Sequence, residues 1–298
     1  AREAAPGQPV LLYLRQWLAE RDGPPLFALL GEYGMGKTIT CQLLAKQLDE
    51  AHEKDPGEPM PLYFDLRHIT GLRERVPMLK EALEECMSRG WLDSGAGEGY
   101  TLSHVHQWIA QGAAVFFDGL DEVLVKLTEA DGKVFTDNLL KLIADARARA
   151  KAEGRKPQVK VLITCRTQYF PTLQAQNSHF TQSGRGEFGA ARYQAMILLP
   201  WNEEQVRRYL ERAVPGVAVD RLIEMVRSVH NLEELTQRPY TLKLVADFIP
   251  AIERDRAAGR TVYGATLYRR VAEGWLGRDG GKHHIRPEHK LRLAGHLA

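Results

Sequence analysis

Charge of one sign is in short supply. Forty Lys and Arg stand against 38 Asp and Glu, a net charge of +2, so composition offers no clear nucleic-acid surface. The most basic stretch, Arg147 to Lys156, reads as a solvated helix end and loop. Cysteine is scarce too. Cys41, Cys86 and Cys165 are odd in number and far apart, which excludes a disulfide framework and leaves no CxxC spacing for zinc. Free thiols in a reducing, cytoplasmic setting are expected. No apolar run nears the ~18 residues of a membrane span, and the N-terminus lacks a signal peptide's apolar core. What is present suits a globular chain of about two domains: 298 residues, 44% hydrophobic and 26% charged. It opens at Ala1-Arg2-Glu3 without Met and stops inside a helical pattern, as a piece of a longer protein would.

The most informative segment is Gly31-Glu32-Tyr33-Gly34-Met35-Gly36-Lys37-Thr38, directly after the apolar run Leu26–Leu30. It matches G-x-x-x-x-G-K-[ST] in the context that pattern needs, a strand before and a helix after. Glycines let the backbone curl so that its N–H groups converge on an anion. Lys37 can reach the β- and γ-phosphates of a nucleotide, and the Thr38 hydroxyl can bind Mg²⁺. The following helix, which includes Ile39 and is read as amphipathic through Ile39, Leu43, Leu44 and Leu48, aims its positive end at the same phosphates. The binding set is therefore residues 31–39.

Strand and helix then alternate. Strands are predicted at 26–30, 61–66, 113–117, 159–164 and 193–199. Helices are predicted at 9–21, from the loop to about Ala51, at 75–89, 101–111 and 134–152, with a flexible connector at 94–99 and a long loop at 171–192. Five repeats of this alternation predict a parallel five-stranded sheet with helices on both faces, its ligand at the carboxyl ends of the strands. After Pro200 only helices are predicted: 203–214, capped by Asn202, then 218–229, 240–257, 263–276 and 287–298.

Two further motifs fall at strand ends. Val115-Phe116-Phe117-Asp118-Gly119-Leu120-Asp121-Glu122 is an apolar strand ending in Asp, the Walker B arrangement. Asp118 can hold Mg²⁺ opposite Thr38, and either Asp121 or Glu122 can orient an attacking water. Arg166 follows the fourth strand, where a planar guanidinium can sense a terminal phosphate. Cys165 reads as a small packed residue rather than a nucleophile. His283, His284 and His289 read as a solvated polar segment rather than a metal site.

Together these motifs resemble the NACHT group of STAND-type NTPases, as found in bacterial NLR-like proteins. The resemblance rests on Asp118-Gly119-Leu120-Asp121-Glu122, on Ile163-Thr164-Cys165-Arg166-Thr167-Gln168-Tyr169-Phe170 as a sensor segment, and on Leu198-Leu199-Pro200-Trp201. Leu235-Thr236-Gln237-Arg238-Pro239-Tyr240 resembles the family segment whose proline packs near adenine and ribose. Gln237 departs from the Gly common there. The resemblance covers about 10–298. It implies a P-loop domain with an N-terminal helix (1–200), a helical domain (201–260) and the beginning of a winged-helix domain (261–298). It implies ATP or ADP with Mg²⁺, slow ATP hydrolysis, homo-oligomerisation on activation, and sensor and effector domains outside this stretch. It also implies a role in intracellular sensing, such as antiviral defence, and favours Asp121 over Glu122 as the catalytic acid. Adenine is favoured only by family, since no guanine-reading N-K-x-D motif is present. Two other readings stay open on the residues alone: an AAA+-type remodelling ATPase, and a scaffold that holds nucleotide without turnover.

Overall fold

The apolar runs become strands because both of their faces are covered. In the computed structural model, β1 (Leu26–Leu30), β3 (Ala114–Asp118) and β4 (Lys160–Cys165) are buried along their whole length. β2 (Pro61–Asp65) and β5 (Tyr193–Ile197) lie at the edges and are only partly covered. All neighbours are parallel, in the order β2-β3-β4-β1-β5. Side chains alternate across the sheet. Leu26, Ala28 and Leu30 join Val115, Phe117, Val161 and Ile163 in one core, while Phe27 and Leu29 join Phe116 and Leu162 in another. The structure describes residues 8–70, 72, 75–91, 99–156, 158–170, 175, 176, 179, 180, 193–227 and 236–259, with isolated positions at 269, 273, 289 and 292.

On one face lie α1 (Val10–Ala19) and α2 (Lys37–Lys54). On the other lie α3 (Leu79–Cys86), α4 (Leu102–Gln111), the short α5 (Leu120–Leu124) and α6 (Glu129–Ala152). Helices on both faces of a parallel sheet are thus present as the alternation predicts. The three cysteines are free and buried.

Several boundaries differ from expectation, each for a local reason. α3 starts at Leu79 rather than 75, because Pro77 disfavours helical backbone in the residue before it. α6 starts at Glu129 rather than 134. Thr128 caps it, accepting from the Asp131 N–H at 3.2 Å. Gly132 in its first turn suggests a breaker, but a Cβ there would lie 2.7 Å from Leu124 Cδ2, so glycine lets α5 and α6 approach closely. The amphipathic reading of α2 is also corrected. Thr40, Cys41, Leu44 and Leu48 face the core, while Ile39 and Leu43 are 58% and 45% exposed. Starting the helix at Lys37 sets that phase.

The chain forms two compact units, Ala1–Leu198 and Leu199–Ala298. In the second, α7 (Glu203–Ala213), α8 (Val219–Arg227) and α9 (Pro239–Ala257) share a core of Val206, Leu210, Leu222, Ile223, Leu242 and Ile249. Asn202 caps α7 as expected, accepting from the Gln205 N–H at 2.9 Å. Apart from isolated positions at 269, 273, 289 and 292, the predicted winged-helix start and the helices at 263–276 and 287–298 lie outside the described residues, as do the histidines at 283 and 284. So do residues 94–98 of the connector predicted at 94–99 and most of 171–192. Among the described residues no helix is long and apolar enough to cross a membrane, and no cluster of metal-ligating side chains forms.

Beside β4, His179 is buried among Phe170 and Phe180. Its Nε2 lies 2.7 Å from Thr136 Oγ1. That hydroxyl donates to Gly132 O at 3.0 Å, so the imidazole must be the donor in the pair. Burial, with Lys133 adding, pushes the imidazole down from 6.5 to about 4. The unfolded chain then binds a proton below pH 6.5 that the folded chain refuses until about pH 4. Stability should therefore fall on acidification through that window, by up to about 3 kcal/mol. Urea unfolding of His179→Gln should lack the part of this loss between pH 6.5 and 5.

Candidate functional site

The strand order decides what meets what. β4 lies between β1 and β3, with Leu30 opposite Cys165 and Phe117 opposite Ile163. The loop after β1, Arg166 after β4 and Asp118 at the end of β3 therefore share the carboxyl edge of the sheet. Of the sequence-predicted residues, Lys37, Asp118, Asp121, Glu122 and Arg166 are brought together there.

The loop 31–38 curls as its glycines allow. Gly34 and Gly36 have φ of 79° and 92°, a region that costs other residues strain. Gly31 is hemmed in, since a Cβ would sit 3.3 Å from Leu198 Cβ and 3.5 Å from Met35 Cβ. Gly36 is the N-cap of α2, with no side chain capping that end, and a Cβ there would meet nothing within 4 Å. An uncapped N-terminus on an 18-residue helix, with open space before it, fits a phosphate. Lys37 Nζ donates to the carbonyls of Gly31 at 2.8 Å and Glu32 at 3.1 Å. Burial lowers the Lys37 pKa, and Asp121 offsets part of that. Glu32 and Ile39 are exposed, while Tyr33 and Thr38 are half-buried.

Asp118 is only 1% exposed, and both of its oxygens accept from hydroxyls. Tyr63 donates to Oδ2 at 2.7 Å and Thr164 donates to Oδ1 at 2.6 Å. Thr164 also accepts the Gly119 N–H at 2.8 Å. Burial and the neighbouring Asp118 push the Tyr63 phenol far up, so it stays a donor. Sequence reasoning assigned no role to Tyr63 or Thr164. Thr164 carried a faint signal as the polar residue closing an apolar strand. Tyr63 carried none, because a tyrosine in an edge strand is ordinary.

Asp121 is 6% exposed and Glu122 is more accessible. Arg166 Nε lies 2.7 Å from Asp121 Oδ2, and its Nη2 lies 3.9 Å from Glu122 Oε1. Burial raises the Asp121 pKa, while Lys37 and Arg166 pull it back. Asp121 is thus the acid that pairs closely with Arg166 and lies in the field of Lys37, a choice the residues alone left open and the motif resemblance favoured. Cys165 is fully buried, and burial holds its thiol well above the ordinary range, which fits packing rather than nucleophilic work. Pro239 opens α9 in the second unit.

A groove of about 650 Å³ elsewhere is lined by Lys80, His106, Gln107, Arg149 and Arg155 among others. It sits where α4 and α6 end, ahead of β3 and β4, at the opposite edge of the sheet. Arg155 donates to the Ala110 carbonyl at 3.0 Å and to Glu153 at 2.9 Å. The basic stretch thus serves helix C-termini, where cations are favoured.

No protein-family model matches the chain. A curated relative, an uncharacterised WD repeat-containing protein of Nostoc, is 26% identical over 172 residues, 55% of this chain. The chain spans about a tenth of that relative's length. A Walker-type ATPase of Pyrococcus abyssi superposes over 91% of this chain and 72% of its own, with a TM-score of 0.54 at 15% identity. The ORC2 protein of Aeropyrum pernix, covering 88% and 65%, reaches 0.49 at 14% identity. A STAND protein with a tetratricopeptide repeat sensor from Pyrococcus horikoshii, covering 87% and 32%, reaches 0.39 at 16% identity. The first of these, with the strand order, carries the assignment. The chain has the P-loop NTPase fold, of the type in which a strand separates the phosphate-loop strand from the Walker B strand.

Thr164→Val should leave the Gly119 N–H unpaired and one Asp118 oxygen without its donor. A loss of about 2–4 kcal/mol in urea unfolding is expected, although valine matches threonine in shape.

Proposed function

We propose that this chain is an ATP- and ADP-binding module of STAND type that hydrolyses ATP slowly, with Mg²⁺, as a nucleotide-controlled switch. The observation carrying this reading is one buried carboxylate, Asp121, paired with Arg166 and lying in the field of Lys37, beside a phosphate-loop backbone. A structural ion pair would need only one cation. A second cation, Lys37, acting on an acid already paired with Arg166, next to an uncapped helix N-terminus, suits a site where further negative charge is to arrive.

The residues divide the work as follows. The backbone N–H groups of 31–39 and the Lys37 ammonium bind the phosphates, the ammonium exchanging its two carbonyl partners for phosphate oxygens. Thr38 and Asp118 would hold Mg²⁺, which when bound offsets phosphate charge. Tyr63 and Thr164 keep the Asp118 carboxylate fixed for that task. Asp121 orients the attacking water and accepts its proton, and its upward-shifted pKa favours that acceptance. Glu122 is the more accessible neighbour. Arg166 faces the terminal phosphate with the guanidinium edges that Asp121 does not use. Pro239 supplies the proposed base contact from a helical domain at 201–260, with a winged helix beginning at 261.

The broader role follows from the motif resemblance. The ATP form assembles into a homo-oligomer, flanking sensor and effector domains set the trigger and output, and the setting is cytoplasmic defence signalling. Steady turnover stimulated by a nucleic-acid or protein polymer would instead favour a remodelling ATPase.

Lys37→Ala should weaken ATP and ADP binding by about 10–100-fold, the worth of a lost charge-assisted contact, as read by fluorescent-nucleotide titration. In single-turnover hydrolysis Asp121→Asn should slow the reaction by at least about 10²-fold, and Glu122→Gln by much less. Equal, small losses in both would overturn the assignment of Asp121, and intact binding in Lys37→Ala would overturn the site.

A further inference from the structure

Tyr33 occupies one of the four positions of the loop pattern that may hold any residue. Here it is placed against the sensor. The Arg166 guanidinium carbon lies 5.2 Å from the centroid of the Tyr33 ring, within the range of a cation–π contact. The same guanidinium gives its Nε edge to Asp121 at 2.7 Å. A guanidinium hydrogen-bonds in its plane and stacks on its face, so the two contacts do not compete. The edge contact fixes its position along the sheet edge. The ring lies against the same guanidinium at cation–π distance.

The loop on either side of the ring is packed. On one side Gly31 is packed against Leu198, and on the other Met35 is 7% exposed. Tyr33 is therefore held by a loop anchored at both ends, and the loop reaches Arg166 through a side chain of its own. A partner for Arg166 of any other kind, a carboxylate or a carbonyl, would occupy N–H donors. An aromatic face occupies none, so the ring takes nothing from the Nη groups, of which Nη2 lies a distant 3.9 Å from Glu122 Oε1 and can turn to an anion held by the loop.

We propose that Tyr33 is a positioning residue for Arg166, and through it sets how strongly the site distinguishes a nucleoside triphosphate from the diphosphate. This inference rests on the reading above that Arg166 faces the terminal phosphate. The loop clamps the phosphates shared by both nucleotides. Only the added phosphate meets Arg166. Tilting the guanidinium thus alters triphosphate affinity and spares diphosphate affinity.

The test uses the full chain and isothermal titration with Mg²⁺ and either ADP or a non-hydrolysable ATP analogue. Tyr33→Leu should weaken the analogue about fivefold, the worth of a partly buried cation–π contact, and leave ADP within about twofold. Tyr33→Phe, which keeps the ring, should retain the wild-type ratio of the two affinities. On an Arg166→Ala background, Tyr33→Leu should have no further effect on that ratio. Tyr33→Met serves as a second ring-less variant, with a circular dichroism melt as the check on folding. Equal weakening of both nucleotides by Tyr33→Leu, or an additive effect on the Arg166→Ala background, overturns the role of Tyr33. An Arg166→Ala protein that keeps the wild-type ratio overturns the reading of Arg166, and this inference with it.

Discussion

A buried carboxylate must find hydrogen-bond donors or remain a liability several kcal/mol deep, and Asp118 finds its donors on two neighbouring strands. Tyr63 on β2 and Thr164 on β4 each hold one of its oxygens. Three adjacent strands are thereby pinned at their carboxyl ends. Thr164 also holds the Gly119 N–H, which fixes the start of α5 and so the place of Asp121. Asp121 in turn pairs with Arg166, two residues beyond Thr164. The acids and Arg166 form one linked set, whose geometry cannot be altered at one member without disturbing the next.

The other half of the site is backbone. Left-handed φ at Gly34 and Gly36 curls the loop, and Lys37 closes it by donating to two of the loop's own carbonyls. A lysine bonded to neutral carbonyls is poised rather than spent. Phosphate oxygens are stronger acceptors for an ammonium than carbonyls are. Tyr33 links this half to the other by lying under Arg166. The loop thus meets Arg166 through the Tyr33 ring, and Arg166 in turn meets two carboxylates, Asp121 and Glu122.

Much of the fold was legible because parallel strands buried on both faces must be almost wholly apolar. β1, β3 and β4 stand out as such runs and were located within a residue at each end. The helices were harder. The predicted helix begins at 134, past Gly132, yet α6 runs through that glycine, which marks a close approach to Leu124, since a glycine's sequence context does not say whether it frees a chain or admits a neighbour. Ile39 and Leu43 were assigned to a buried face that Thr40 and Cys41 take instead. Periodicity gives the width of an apolar stripe, but the loop before the helix sets its phase.

The sequence by itself determined the phosphate loop, the order of strands and helices along the chain and the identity of the charged residues, because those follow from local pattern and residue chemistry. Only the tertiary structure decided that Asp121 rather than Glu122 makes the close pair with Arg166, that Tyr63 and Thr164 hold Asp118, and that Tyr33 backs Arg166. Each of these joins residues from separate elements. Their meeting depends on β4 lying between β1 and β3, a spatial order that the linear spacing of motifs does not encode.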